Sequence, residues 1–490
     1  MNLAFSRMRR RLALSALLAL LSGCASQYFR DAGTPPSAPR YTLADLPSPE
    51  HWTGIVFNGA RVGFSRSRIS RAADPGLYEI EGEAVIRLRF LGFEKNVQMR
   101  TLDVVDARGA LARFDHRYVL DRSERRVRGE ARGGVLRYEI GSAGRAAERR
   151  EEILREPLYP SAALALLPVL RGLRVGSRFD WLVFDGEAQS LARASQRIEA
   201  YETSELFAGP AFRVSTELLG LSTTTWIDAN GRPVLELGLN GVIVSALEDE
   251  ATAKGYLASA ALNKDDVLLD WSVIKVALPL ADARRARYLR VALPRNERMP
   301  PSDRRQQCRR EAADVVCEID AARSSAGDAA VADLRSTVTV QSGDPMIRAL
   351  ALKITSGRDA VPRKITAVLD WLERNIRKEP IDAFSALDVL DARRAECQGH
   401  AYLYTALMRS LGVPTRVVNG LVYAQDYGGF LYHTWAETLV DGSWIAIDPT
   451  FNQARADATH IALARGESPV ELVPLVDWVG RTRIEVLEAR

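Results

Sequence analysis

Three stretches near the C-terminus stand in this order: Glu396-Cys397-Gln398-Gly399-His400, then Tyr432-His433-Thr434-Trp435-Ala436-Glu437, then Trp444-Ile445-Ala446-Ile447-Asp448-Pro449-Thr450. After Cys397, the apolar residues Ala401, Leu403, Tyr404, Leu407, Met408 and Leu411 recur at helical spacing, and Gly412 with Pro414 supplies a stop. The spacing predicts a helix over 398–411 with Cys397 opening it. Residues 416–423 are β-branched and aromatic, and 430–440 and 443–447 are two further strand-like runs joined by the tight turn Asp441-Gly442. The local expectation is an antiparallel sheet packed against the cysteine helix.

That arrangement carries a chemical implication. A thiol near its ordinary pKa of about 8.5 is a weak nucleophile at neutral pH, and a helix N-terminus or an adjacent imidazolium lowers that value. His433 and Asp448 fall on facing strands, where an imidazole N–H can reach a carboxylate and be held toward the sulfur. Asp344-Pro345 reads as an N-cap with proline at the first helical position, opening a helix over 346–355. A second helix begins near Asp359, with Ile365, Val368, Leu369, Leu372 and Ile376 forming one apolar stripe. Trp435 and Trp444 are candidate walls of a substrate groove.

On Cys397, the Leu411-Gly412-Val413-Pro414-Thr415-Arg416 stop, His433-Thr434-Trp435 and Asp448-Pro449-Thr450, the segment 344–450 resembles the transglutaminase-like superfamily. The resemblance is to its bacterial cysteine-peptidase type. It implies an α+β fold: a papain-like core of helices on an antiparallel sheet, with Cys397, His433 and Asp448 as a catalytic triad. The implied activity is attack on amide bonds of peptides or proteins through a thioester, with hydrolysis favoured over cross-linking to an amine. Glu396 departs from the family, which has a small residue there, and is expected to face solvent. His400, one helical turn after Cys397, is expected in a supporting or surface role.

The N-terminus carries Arg7, Arg9, Arg10 and Arg11, then a short apolar run, then Leu21-Ser22-Gly23-Cys24. A basic region before an apolar run too short to span a bilayer reads as a secretory signal. Leu-Ser-Gly-Cys looks like a bacterial lipobox, which implies removal of 1–23, lipid on Cys24, and an outer-membrane lipoprotein facing the periplasm. Several acyl chains on one residue would hold the protein firmly to the membrane. In that oxidising compartment Cys308 and Cys317 could close a small disulfide loop, a pairing the sequence leaves open. Cys397 then remains as a free thiol, which is easier to credit to a working role than to accident.

The other 340 residues suggest support rather than separate chemistry. The chain has 490 residues and a formal net charge of +4, with basic and acidic residues interleaved, so nucleic acid is not an expected partner. No metal-ligand spacing, phosphate loop or internal repeat is evident, so neither a metal nor a cofactor is expected. Residues 24–50, rich in proline, read as an extended tether. Residues 51–272 read as a large antiparallel β domain with few helices, one of them over 161–170, and a possible envelope partner on its concave face. Residues 273–340 read as a small β linker domain and 341–490 as the catalytic domain. The rival reading is a non-catalytic envelope binding or assembly lipoprotein with a vestigial triad.

Overall fold

The computed structural model describes residues 28–490 except 37–39, 92, 143–144, 146, 297, 473–474, 476–477 and 479–481. The expected leader and lipobox, with Cys24, lie outside the described residues. Among those described, no helix is long and apolar enough to cross a membrane.

Strand dominates, at 47% against 20% helix, because most of the described residues up to 250 form one meandering sheet, antiparallel except where Leu158–Pro160 runs parallel to Arg178–Asp185. Neighbouring strands follow one another in sequence from Glu50–Phe57 to Glu148–Ile153 on one limb and from Leu158–Pro160 to Ile243–Glu248 on the other. The limbs join where Ile243–Glu248 pairs with Glu50–Phe57. The sheet folds over so that its two limbs share a core: Phe114 and Phe184 approach to 4.3 Å between ring centroids. The helix Leu167–Arg171 fills the space between them, as its four buried apolar residues require.

Two expectations for this region change. The described residues of 28–50 do not form a free tether. Phe29–Asp31 pairs with Ser190–Ser204, Phe29 stacks on Trp226 at 4.5 Å, and Leu43 is buried in the limb core. Apolar side chains among the prolines find the sheet and bury there. The helix Glu250–Leu262 was also not foreseen, since its alanine-rich sequence lacks a broad apolar stripe. Asp249 caps it, accepting from the Thr252 amide at 2.9 Å, and Tyr256 lies against Gly54, where any Cβ would clash with its ring.

The C-terminal region is built in three layers. Its central sheet runs in the order Ser325–Ala326, Ser443–Ile447, Gly429–Val440, Thr415–Ala424, Ile461–Arg465. The helices Pro345–Ile354, Val361–Asn375, Ala386–Ala392 and Cys397–Ser410 pack on one face around Leu369, Leu372, Leu403, Leu407 and Val417. On the other face lies a small antiparallel sheet of Gln306–Glu311, Asp314–Asp320, Tyr288–Pro294 and Glu485–Ala489. Leu289, Val291, Val315 and Ile319 of that sheet share one core with Leu421, Tyr423, Ile461 and Leu463. Most of the expected linker domain, 273–340, is therefore the third layer of the C-terminal unit, while its short strands Ile274–Lys275 and Ser325–Ala326 join the central sheet. Among the described residues the third layer shares its core with that sheet and takes Glu485–Ala489 as its fourth strand.

Candidate active site

Cys397 is the first residue of its helix, and the buried residues that follow it press the helix onto the central sheet. Tyr404 Oη and Thr438 Oγ1, 3.0 Å apart, tie helix to strand. In that strand His433 pairs with Gly420. Glycine is needed there: a Cβ on Gly420 would stand 2.0 Å from the Ile461 carbonyl oxygen and 2.9 Å from the Trp435 ring. Asp441 and Gly442, both at positive φ, turn the chain into Ser443–Ile447. Asp448 follows directly, and its Oδ1 accepts from the amides of Thr450 at 2.7 Å and Phe451 at 3.0 Å. The turn thus aims the other oxygen at the preceding strand.

There His433 Nε2 and Asp448 Oδ2 are 2.8 Å apart, and both residues are buried. With Nε2 committed to the carboxylate, Nδ1 is the ring nitrogen left for a proton from elsewhere. The half-buried thiol of Cys397 lies by the Thr434 amide, next along the strand from His433. Phe451, partly exposed, stacks on the His433 ring at 5.0 Å. The two tryptophans expected to wall a groove are core residues. Trp435 is fully buried among Val418, Ala446, Ala456 and Ala462, and Trp444 is covered by Arg416 at 4.0 Å. Phe451 is the aromatic ring that faces both the site and solvent.

The electrostatics differ from the sequence expectation. Burial pushes the Cys397 thiol up, and the charge of Glu396 pushes it further, while the Thr434 amide works the other way. Glu396 turns inward rather than to solvent. It sits with Asp382, Asp121 and Lys95, whose ammonium is 2.7 Å from Asp382, 3.6 Å from Asp121 and 4.0 Å from Glu396. Burial and Asp382 raise the Glu396 carboxyl well above its usual range despite Lys95. Burial also works against the Asp448 carboxylate, but His433 and His460 outweigh it and hold that group well below its usual range. His400 is buried, with Nδ1 2.8 Å from the Glu396 carbonyl, so it braces the first helical turn.

Cys308 and Cys317 face each other on adjacent strands and are joined by a disulfide, and Cys397 is free. His460 and Lys95 were missed in the sequence. His460 lies in a loop with no periodic pattern, and Lys95 comes from the β domain, 287 residues from Asp382. His433, Asp448 and His460 bring three ligand-type atoms within 4.8 Å. Both histidine nitrogens stand 2.8 Å from the same carboxylate oxygen. That is hydrogen-bond spacing, shorter than the roughly 3.3 Å between donors around a tetrahedral zinc.

Residues 348–449 match the family model of the transglutaminase-like superfamily. Over 137 residues the chain is 24% identical to the kyphoscoliosis peptidase of Mus musculus, a match that takes in 25% of this chain and 20% of the relative, so a fifth of that protein's length is spanned. Among solved structures, a candidate cysteine protease from Cytophaga hutchinsonii aligns at 16% identity and a TM-score of 0.29, covering 41% of this chain and 85% of that one. A β-barrel-like protein of the DUF1849 family from Brucella abortus aligns at 11% identity and a TM-score of 0.31, covering 41% and 94%. Residues 348–449 of this chain carry a transglutaminase-like domain.

Proposed function

We propose that the protein is a membrane-anchored periplasmic thiol enzyme that acts on amide bonds of peptides or proteins. Cys397 is the nucleophile, His433 the general base and acid, and Asp448 the residue that orients His433. The observation that carries this reading is the 2.8 Å contact between His433 Nε2 and Asp448 Oδ2, made beside a free thiol at a helix start. With Nε2–H donated to the carboxylate, Nδ1 holds the lone pair that takes the thiol proton as sulfur attacks the amide carbon. The C–N bond then breaks, the amine leaves with the proton from Nδ1, and the acyl group stays on sulfur as a thioester. Water, activated by the same nitrogen, resolves the thioester in a peptidase or amidase, whereas an incoming amine resolves it in a cross-linking enzyme. Hydrolysis is the outcome we favour. The lipid on Cys24 would hold the enzyme at the outer membrane.

One observation favours the second reading, a binding or assembly lipoprotein with a silent triad: burial and Glu396 disfavour the thiolate of Cys397. Labelling with an activity-based thiol probe across pH separates the two. The enzyme reading predicts saturable labelling at Cys397 that disappears in His433→Ala. Labelling that ignores His433 and follows an isolated buried thiol would support the silent triad.

A further inference from the structure

His460 is fully buried, twelve residues beyond Asp448, and its two ring nitrogens are both engaged. Nε2 lies 2.8 Å from Asp448 Oδ2, the oxygen that His433 also reaches. Nδ1 lies 3.1 Å from the Asp457 carbonyl and 3.3 Å from Asp457 Oδ1. A neutral imidazole has one N–H and could satisfy one side only. Asp448 accepts two backbone amides on its other oxygen, as a carboxylate does. Asp457 pairs with Arg284 Nη1 at 2.9 Å and accepts from the amide and hydroxyl of Thr459. Every atom facing the two nitrogens is therefore an acceptor, and His460 donates from both.

Resting on the Cys–His–Asp reading of the site, we propose that His460 is a positioning residue, a fixed imidazolium that shares Asp448 with His433 and partly cancels the carboxylate's charge. His433 then meets a half-neutralised Asp448 and works as a neutral base toward the thiol, rather than standing protonated beside a thiolate. The titratable and charged groups around His460 are Asp448, Asp457 and His433, together with Arg284 through Asp457 and Arg305, which donates to the His460 carbonyl at 3.1 Å. The two carboxylates outweigh burial and raise the imidazolium's pKa above its ordinary value. Phe451 and Trp435 wall the fully buried ring edge-on, at 6.3 and 5.2 Å.

The test is nitrogen-15 NMR of histidine-labelled protein, which has only five histidines to resolve, combined with the pH profile of kcat/KM on a peptide substrate. At about pH 7.5, a unit above the ordinary imidazole value of about 6.5, both His460 nitrogens should report as protonated. A neutral His460 ring there would overturn the inference, and this readout needs no variant to fold. In His460→Gln the donor to Asp448 remains but the charge is gone. Asp448 then holds the proton on His433 more tightly, so the acid limb of kcat/KM should move up by about one pH unit, a roughly tenfold loss on the acid side. An unmoved limb, with a uniform loss at every pH, would reduce His460 to a packing role. Cys397→Ser serves as the control for the underlying reading: if it keeps full turnover the triad is wrong, and if it is inactive while His460 proves neutral, this inference alone fails.

Discussion

Glu396, immediately before the proposed nucleophile Cys397, is a carboxyl group whose ionised form opposes thiolate formation. Glu396→Gln should therefore move the onset of Cys397 alkylation by iodoacetamide to lower pH, and an unchanged onset would free Glu396 of that role. Asp448→Asn should leave a folded protein whose imidazole is mispositioned, with turnover reduced by about 10³ to 10⁴ fold by analogy with other triads. His460 and Asp448 also set a pH signature for stability. The folded pKa of His460 is raised, so its contribution is complete below the unfolded value of about 6.5 and fades as pH climbs through the folded value. That of Asp448 is depressed, so its contribution is complete above about 3.9 and fades as pH falls toward the folded value. Urea unfolding should show the gap between wild type and His460→Gln at its widest between about pH 4 and 6.5, narrowing at higher pH. A gap independent of pH would contradict the buried imidazolium. The residues that could be read in the sequence, Cys397, His433 and Asp448, are those whose local pattern marks them. Glu396 was read to face outward because its cation lies in another part of the chain, and His460 was silent because its acceptors, Asp448 and Asp457, converge only after folding.

At the level of elements, the strand holding His433 and the helix holding Cys397 were legible because each has its own periodicity and stop signal. Their edges shifted by one residue, to Gly429–Val440 and Cys397–Ser410. The helix Ala386–Ala392 was not read, being short and dependent on Ser385, whose hydroxyl caps it, and on burial against the cysteine helix. Close approach decides the sheet's interior: Gly420→Ala should cost about 1–3 kcal/mol, the usual range for overpacking, because its Cβ would meet the Ile461 carbonyl backbone. Thermal unfolding measures this, and a neutral substitution would mean that Ile461 can shift away from the site.

Across the whole molecule, the large β region is in direct contact with the C-terminal unit. Beyond Lys95, Ser123 Oγ donates to Asp388 at 2.6 Å, Arg125 donates to the Phe384 carbonyl at 2.6 Å, and the Phe384 amide donates back to Ser123 at 3.0 Å. Asp382 and Phe384 belong to the segment that leads, through the helix Ala386–Ala392, to the cysteine helix, so Lys95 on Phe93–Asp106 and the hairpin of Leu111–Leu120 and Ser123–Arg132 together brace the approach to Cys397. Lys95→Met should leave three carboxyl groups around an apolar side chain and cost about 3–5 kcal/mol, the penalty for orphaning a buried charge. Losing Lys95 also favours the neutral form of Glu396, so the onset of Cys397 alkylation should move to lower pH, as in Glu396→Gln. Loss of stability without any change in alkylation would make the contact purely structural. No local pattern reveals this coupling, since it joins hairpin residues to a segment more than 250 residues away. The most direct measurement for the account as a whole is intact-protein mass spectrometry after brief exposure to an acyl-donor peptide ester. An acyl-enzyme on Cys397 predicts one adduct, mapped to that residue and absent from Cys397→Ala and His433→Ala. Turnover of a peptide substrate without any adduct on Cys397, or turnover surviving in Cys397→Ala, would contradict it.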